Sequence, residues 1–188
     1  MRLLAFCAFL TVVFVFPTFA QKFPPIKDQA AVGNRAPAFA MNDLNGKIVR
    51  LEDLKGKVVV MNFWSTKCAA CDYETPALNE MVDAFAGKNV VVLGCAHDSK
   101  SSIEKFLKKQ PFKYEIFPES MQAMIVGYGK PQANGFYDMP FPLHIVVDQN
   151  GVVVYNETGY DVVDSVRQKI AGLLKMPVPA VAQVRRAR

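Results

Sequence analysis

The stretch Lys57-Val58-Val59-Val60-Met61-Asn62-Phe63-Trp64-Ser65-Thr66-Lys67-Cys68-Ala69-Ala70-Cys71 decides the fold. Its first half is apolar on both faces, the pattern of a central strand covered from above and below. A strand is predicted over residues 57–63. The period then changes. Leu78, Met81, Val82 and Phe85 recur at i, i+3, i+4 and i+7, so a helix is predicted from near Cys68 to near Gly87, with Pro76 kinking it. Two cysteines three residues apart therefore sit where a buried strand turns into a helix.

That position gives the sulfurs a chemistry. A cysteine at a helix N-terminus meets the positive end of the helix dipole and free backbone N–H groups, and both favour thiolate. Lys67, directly before Cys68, favours it further. Cys71 lies one turn along, within bonding reach and partly shielded. This division suits exchange, with Cys68 attacking a disulfide and Cys71 resolving the mixed disulfide. Two blander readings compete. An inert bridge across four residues closes too small a loop to constrain much of the unfolded chain. A zinc site would join Cys95 and His97 to the pair, but those two end a predicted strand, whereas structural zinc ligands usually come from loops and knuckles.

Outward from this stretch, Asn45-Gly46 between short apolar pieces predicts a hairpin within residues 39–51. A second buried strand is predicted over residues 89–94. A helix marked by Ile103, Phe106 and Leu107 follows and ends by Pro111. Next come a short strand at residues 114–117 and a helix at 120–128. Pro131, Gly135 and Pro140 make residues 130–140 a loop, a candidate lid or substrate lip before the site. A strand at 143–147, a turn at Asn150-Gly151 and a partner strand at 152–155 form a hairpin. A helix over residues 161–175, with Val166, Ile170, Leu173 and Leu174 on one face, closes the domain. This order predicts an α/β fold: a mixed central sheet flanked by helices on both faces, with an N-terminal β-hairpin extension.

The ends differ in kind. Arg2 followed by the apolar run of residues 3–16 and the small residues before Gln21 reads as a secretory signal over residues 1–20, cut after Ala20. The run is shorter than the roughly 20 residues of a membrane span, and an uncleaved anchor is the alternative. Cys7 lies too near the N-terminus to serve as a lipoprotein acceptor. Residues 21–31 are expected as a linker, 32–175 as the domain and 176–188 as a disordered basic tail. Removal of the signal leaves Cys68, Cys71 and Cys95, an odd count that rules out a fully paired framework within one chain. Export implies an oxidising compartment. Of the formal charge of +5, one is Arg2 and three are Arg185, Arg186 and Arg188. No basic stripe with interleaved aromatics remains to suggest nucleic acid. Membrane contact is expected only through an uncleaved signal or the basic tail. With 51% hydrophobic and 21% charged residues, the chain excludes a disordered class.

Several motifs in order make a resemblance. They are Val32-Gly33-Asn34-Arg35-Ala36-Pro37-Ala38-Phe39, then Leu54-Lys55-Gly56-Lys57 running into Asn62-Phe63-Trp64, then the cysteine pair, Glu74-Thr75-Pro76, and Pro142-Leu143-His144-Ile145-Val146-Val147-Asp148 with Gly151. Residues 32–174 resemble the TlpA/ResA-like branch of the thioredoxin superfamily. The resemblance implies a thioredoxin fold and an extracytoplasmic thiol–disulfide oxidoreductase that reduces disulfides of exported proteins. It implies recharging by a membrane-embedded electron donor and no cofactor, because the cysteines carry the electrons. Cys68 is then the attacking thiol and Cys71 the resolving one. Pro142 takes the place of the cis-proline facing the disulfide, with Pro140 its rival. Phe141 offers its backbone for strand-like pairing with a substrate. Glu74 matches an acidic residue that exchanges the proton of Cys71; an ordinary first-turn helix carboxylate is the other reading. Trp64 matches the aromatic brace and is grouped with Lys67, Phe141 and Pro142 as substrate-contacting.

Two departures bear on substrate and potential. Lys67 stands where the family usually has Trp, and Ala69-Ala70 lacks the proline common in reducing members. Two further functions compete with this one. A thiol peroxidase is suggested by residues 32–39, but Met61 and Ser65 replace the proline and threonine such enzymes carry. A copper-binding module of this fold would space its cysteines one residue further apart. Cys95 is expected to be a buried free thiol or a third redox thiol, His97 a surface residue and His144 structural.

Overall fold

The structure is a computed structural model and describes residues 27–180. The signal, its cleavage after Ala20, the first part of the linker and the tail beyond residue 180 lie outside the described residues. Among those described, no helix is long and apolar enough to cross a membrane.

A hairpin of β1 (Ala40–Asn42) and β2 (Ile48–Arg50) opens the domain. Asp43 closes its turn: one carboxylate oxygen accepts the N–H groups of Asn45 and Lys47, both at 2.8 Å, while Gly46 supplies the left-handed φ of 84°. A single 3-10 turn (Leu51–Leu54) leads into β3 (Val58–Trp64), all seven residues of which are buried. Then follow α1 (Ala69–Ala84), β4 (Val90–Ala96), α2 (Lys100–Leu107), β5 (Glu115–Phe117) and α3 (Ser120–Tyr128). A small pair, β6 (Lys130–Pro131) and β7 (Tyr137–Asp138), precedes β8 (Leu143–Val147), β9 (Val153–Thr158) and α4 (Val163–Leu173).

The central sheet runs β5-β4-β3-β8-β9. The β3–β4 and β4–β5 pairs are parallel, and β8 and β9 add antiparallel. Alternation decides which residues meet which layer. Val58, Val60, Asn62 and Trp64 face α1 and its neighbours; Val59, Met61 and Phe63 face the other way, toward α3 and the first hairpin. Both faces are covered, so the strands read as continuous apolar runs rather than alternating ones. Val163, Val166 and Ile170 of α4 pack beside Leu78 and Met81 of α1 on the first face.

Pro76 lies inside α1 as expected. Its missing N–H leaves the carbonyl of Asp72 without its helical donor, and Gln110 Nε2 supplies one at 3.1 Å. The chain that follows α2 thus repairs the gap that the proline makes.

Three expectations need correction. Residues 130–140 are not merely a loop: β6 and β7 pair across a turn in which Gly135 (φ 84°) donates its N–H to the Gln132 carbonyl. Pro131 is tolerated because this two-stranded pair has free edges that need no donor from it. Residues 27–31, expected as linker, are packed: Ala30 is fully buried, and its carbonyl accepts a 2.8 Å bond from Asn156 Nδ2. At the other end, residues 176–180 lie against α4. Met176 donates its N–H to Ala171 and joins the core, and Arg167 Nη1 donates to the Pro179 carbonyl at 3.0 Å.

Candidate active site

Cys68 and Cys71 are joined as a disulfide, with their Cα atoms 5.3 Å apart. Cys68 is the N-cap of α1 in an extended conformation, partly exposed, and its Sγ accepts the N–H of Cys71 at 3.1 Å. Cys71 is 2% exposed. The two sulfurs are therefore unequal by construction: one at the mouth with a backbone donor aimed at it, one inside the first turn. A thiolate on Cys68 would keep that donor and the dipole behind it.

The loop before the pair is pinned from β4. Asp98 accepts the Thr66 N–H at 2.7 Å and the Thr66 hydroxyl at 2.8 Å. Partial burial alone would raise the pKa of this carboxyl, but the two bonds from Thr66 hold it below the ordinary carboxylate range. Lys67 projects into solvent between these anchors. The peptide bond between Phe141 and Pro142 is cis. Phe141 packs on the cluster that holds Cys68 and Cys71, with its ring 6.3 Å from that of the exposed His97.

Trp64, grouped above with substrate-contacting residues, is 1% exposed and is not at the surface. Its ring packs 4.6 Å from Phe112 and 5.4 Å from Phe106, centroid to centroid, beside Cys71 and Ile103. It braces the site from within. The strand places it on the α1 face, where α2 and the segment before β5 close over it.

Beneath the pair lies a buried polar chain. Glu74, three residues after Cys71 on the same side of α1, is 2% exposed. Its Oε1 accepts Asn62 Nδ2 at 2.9 Å, and its Oε2 lies 3.0 Å from His144 Nε2. Tyr114 donates its hydroxyl to Asn62 Oδ1 at 3.4 Å. Burial is the main reason the Tyr114 phenol is held well above its ordinary range, with the Glu74 charge adding to it. Gly94 makes room: a Cβ there would stand 2.9 Å from the Tyr114 ring and 2.5 Å from Ile116. The sequence missed Asn62 and Tyr114 as members of this chain, and read His144 only as structural. The available signal was a polar residue interrupting each of two otherwise apolar buried strands, which demands a partner.

Cys95 does not join them. It sits on the opposite face of the sheet, 1% exposed among Phe63, Phe117 and Tyr128, and burial pushes its thiol far above the usual range. The four-ligand set of Cys68, Cys71, Cys95 and His97 is thus not brought together.

The geometry agrees with the relatives. Residues 32–156 match the AhpC/TSA family. The thiol–disulfide oxidoreductase ResA of Bacillus thuringiensis is 30% identical over 163 residues, covering 86% of this chain and 87% of that protein. The fold matches that of a thiol:disulfide interchange protein from Bacteroides sp., with a TM-score of 0.63, 28% identity, and coverage of 77% of this chain and 93% of the other. It also matches the thioredoxin domain of a thiol–disulfide oxidoreductase from Bacteroides vulgatus, with a TM-score of 0.61, 27% identity, and coverage of 74% and 98%. The chain belongs to the AhpC/TSA family and, with its cysteine pair at the mouth of a thioredoxin fold, is a thiol–disulfide oxidoreductase of the ResA-like kind.

Proposed function

We propose that the protein reduces disulfides of exported proteins outside the cytoplasm and is recharged by a membrane-embedded electron donor. The observation that carries this reading is the inequality of the two sulfurs, Cys68 at the mouth and Cys71 buried with Glu74 behind it. The Cys68 thiolate attacks a substrate disulfide; one substrate sulfur leaves as a thiolate and the other stays bonded to Cys68. Cys71 gives its proton to Glu74 and attacks Cys68 Sγ. The Cys68–Cys71 bond forms, the second substrate thiolate leaves, and two electrons have passed to the substrate. Phe141 and Pro142 offer backbone beside the pair, and Lys67 sets the charge of the approach. The signal over residues 1–20 supports export.

The test is the reduction potential of the purified mature protein, equilibrated against glutathione or dithiothreitol buffers, with Cys68→Ser as the blank. A two-electron transition near or below about −220 mV is expected; a value near about −120 mV would make the protein an oxidant of exported proteins instead. No transition, or one retained in Cys68→Ser, would overturn the exchange reading. N-terminal sequencing of the exported form is expected to begin at Gln21.

A further inference from the structure

His144 is in the wrong place for a residue that only fills space. It is the second residue of β8, with its side chain fully buried, in a row across the sheet that reads Ile116, Gly94, Asn62, His144, Glu157 by strand register. Partners in register point to the same face. Asn62 and His144 therefore stand side by side beneath α1, and Glu74 reaches down to both. Each carboxylate oxygen of Glu74 has its own partner: Asn62 Nδ2 on Oε1, His144 Nε2 at Oε2.

The tautomer follows from the far side of the ring. His144 Nδ1 is buried with no hydrogen-bond partner among the described residues. A proton there would be an unpaired buried donor, which is costly; a bare lone pair costs less. The arrangement that leaves no donor unpaired is a neutral imidazole, with Nε2–H donating to an ionised Glu74. An imidazolium or an Nδ1–H tautomer would strand a proton in an apolar setting. Each carboxylate oxygen carries two lone pairs, so Glu74 keeps sites for an incoming proton while both donors stay in place.

We infer that His144 is a positioning residue of the exchange reaction: through its Nε2–H it holds the Glu74 carboxylate under Cys71 and sets how readily that carboxylate takes the Cys71 proton. This rests on the proposed role of Glu74 and assigns a partner to it. The sign is fixed. A donor aimed at a carboxylate favours its ionised form, and loss of His144 takes away one of the two donors that Glu74 has. The other titratable groups facing the pair are Cys68 and Cys71 from α1, Tyr114 through Asn62, and the exposed Glu157, whose strand position is opposite His144 on β9. From α4 the neighbours Val163 and Val166 are apolar.

The experiment loads the reduced full-length mature protein with one equivalent of 5,5′-dithiobis(2-nitrobenzoate). Release of the second nitrothiobenzoate, as Cys71 resolves the mixed disulfide on Cys68, is followed as a function of pH. Glu74→Gln is expected to remove an inflection from this profile. His144→Leu is expected to move the same inflection up by about one pH unit, and His144→Gln, which restores an N–H donor without a titrating ring, to return it toward the wild-type position. An inflection unmoved in His144→Leu, or displaced as far in His144→Gln, overturns the assignment of His144 while leaving the role of Glu74 intact. An inflection that survives Glu74→Gln overturns the role of Glu74 itself. Imidazole 15N shifts of the wild-type protein need no variant and bear on the same point. With only two histidines in the chain, His144 is expected as the neutral Nε2–H tautomer at neutral pH, and an imidazolium or Nδ1–H signal would overturn the inference.

Discussion

Two buried sulfurs flank the same end of the sheet, and they have opposite surroundings. Cys71 lies on the α1 side, one turn from Glu74 and above Asn62 and His144. Cys95 lies on the α3 side among Phe63, Phe117 and Tyr128, with only the Leu93 carbonyl at 3.9 Å from its sulfur. Both are about equally hidden from solvent. What separates them is the polar chain on one face and its absence on the other. Burial by itself raises a thiol and makes it inert. A buried thiol becomes a participant only where a proton acceptor is buried with it. The first way to sharpen this is to delete each sulfur. Cys71→Ser is expected to reduce steady-state turnover of a protein disulfide to background, with the mixed disulfide on Cys68 accumulating on non-reducing gels. Cys95→Ala is expected to leave turnover unchanged. Lost turnover in both variants would break the comparison.

The second test attacks the face of Cys71 through the one position that has no side chain. Gly94 lies beneath the Tyr114 ring, and a Cβ there would meet Ile116 Cδ1 at 2.5 Å and Tyr114 at 2.9 Å. Gly94→Ala forces the ring off Asn62 and overpacks the site, at an expected cost of about 1–3 kcal/mol. Urea unfolding measures it. A midpoint equal to wild type would mean that Tyr114 is not pinned to the chain.

On the face of Cys95 the third test is one atom. Cys95→Ser puts a hydroxyl where the acceptor, the Leu93 carbonyl, lies 3.9 Å from the sulfur, beyond hydroxyl hydrogen-bond range, and an unpaired buried hydroxyl costs about 1–3 kcal/mol. Cys95→Ala leaves a small cavity and is expected to cost about 1 kcal/mol. If Ser were as stable as Ala, this face would hold a polar partner that its cluster does not show. In the native wild-type protein, Cys95 is expected to resist alkylation until the chain unfolds, as read by mass spectrometry.

The two faces were not equally legible in the sequence. The apolar one was: the runs at residues 57–63, 89–94 and 143–147 announce their strands, because β-branched residues and burial are local signals. The same holds for α1, whose stripe and cysteine cap predict its start within a residue. The polar chain draws Asn62, Glu74, Tyr114 and His144 from four segments that only sheet register brings together, and no local period encodes register between distant strands. Glu74 was read through its resemblance and through its helical offset from Cys71; His144, whose partner is 70 residues away, was not. Trp64 was misplaced for a related reason. A tryptophan at a strand end beside a reactive cysteine looks like a surface contact until the segments carrying Phe106 and Phe112 are known to cover it. The packing of residues 27–31 and the β6–β7 pair carry weak local signals, since proline and glycine mark where regular structure stops more clearly than where a short pair begins.

The smallest effect separates the faces by pH. Asp98 anchors Thr66, and so the loop that carries Lys67 and Cys68, by accepting two hydrogen bonds that favour its ionised form. A carboxyl whose folded value is depressed contributes stability that is fully present above its unfolded value, near about 3.9, and is lost as pH falls through the folded value. An asparagine at 98 would accept one of the two bonds and turn an N–H₂ group toward the other donor. Because Asp98 is partly exposed, water screens the loss, and Asp98→Asn is expected to cost about 1 kcal/mol at neutral pH. That cost should shrink as the solution is acidified below the folded carboxyl's range, where wild type loses the same charge. The cost of Cys95→Ser involves no group that titrates there and should stay constant over the same interval. Urea midpoints for both variants between neutral and acid pH decide it. A penalty for Asp98→Asn that does not change with acidification would mean that the site loop is held by shape rather than by the carboxylate, and the contrast between a charged face and an apolar one would end at Glu74.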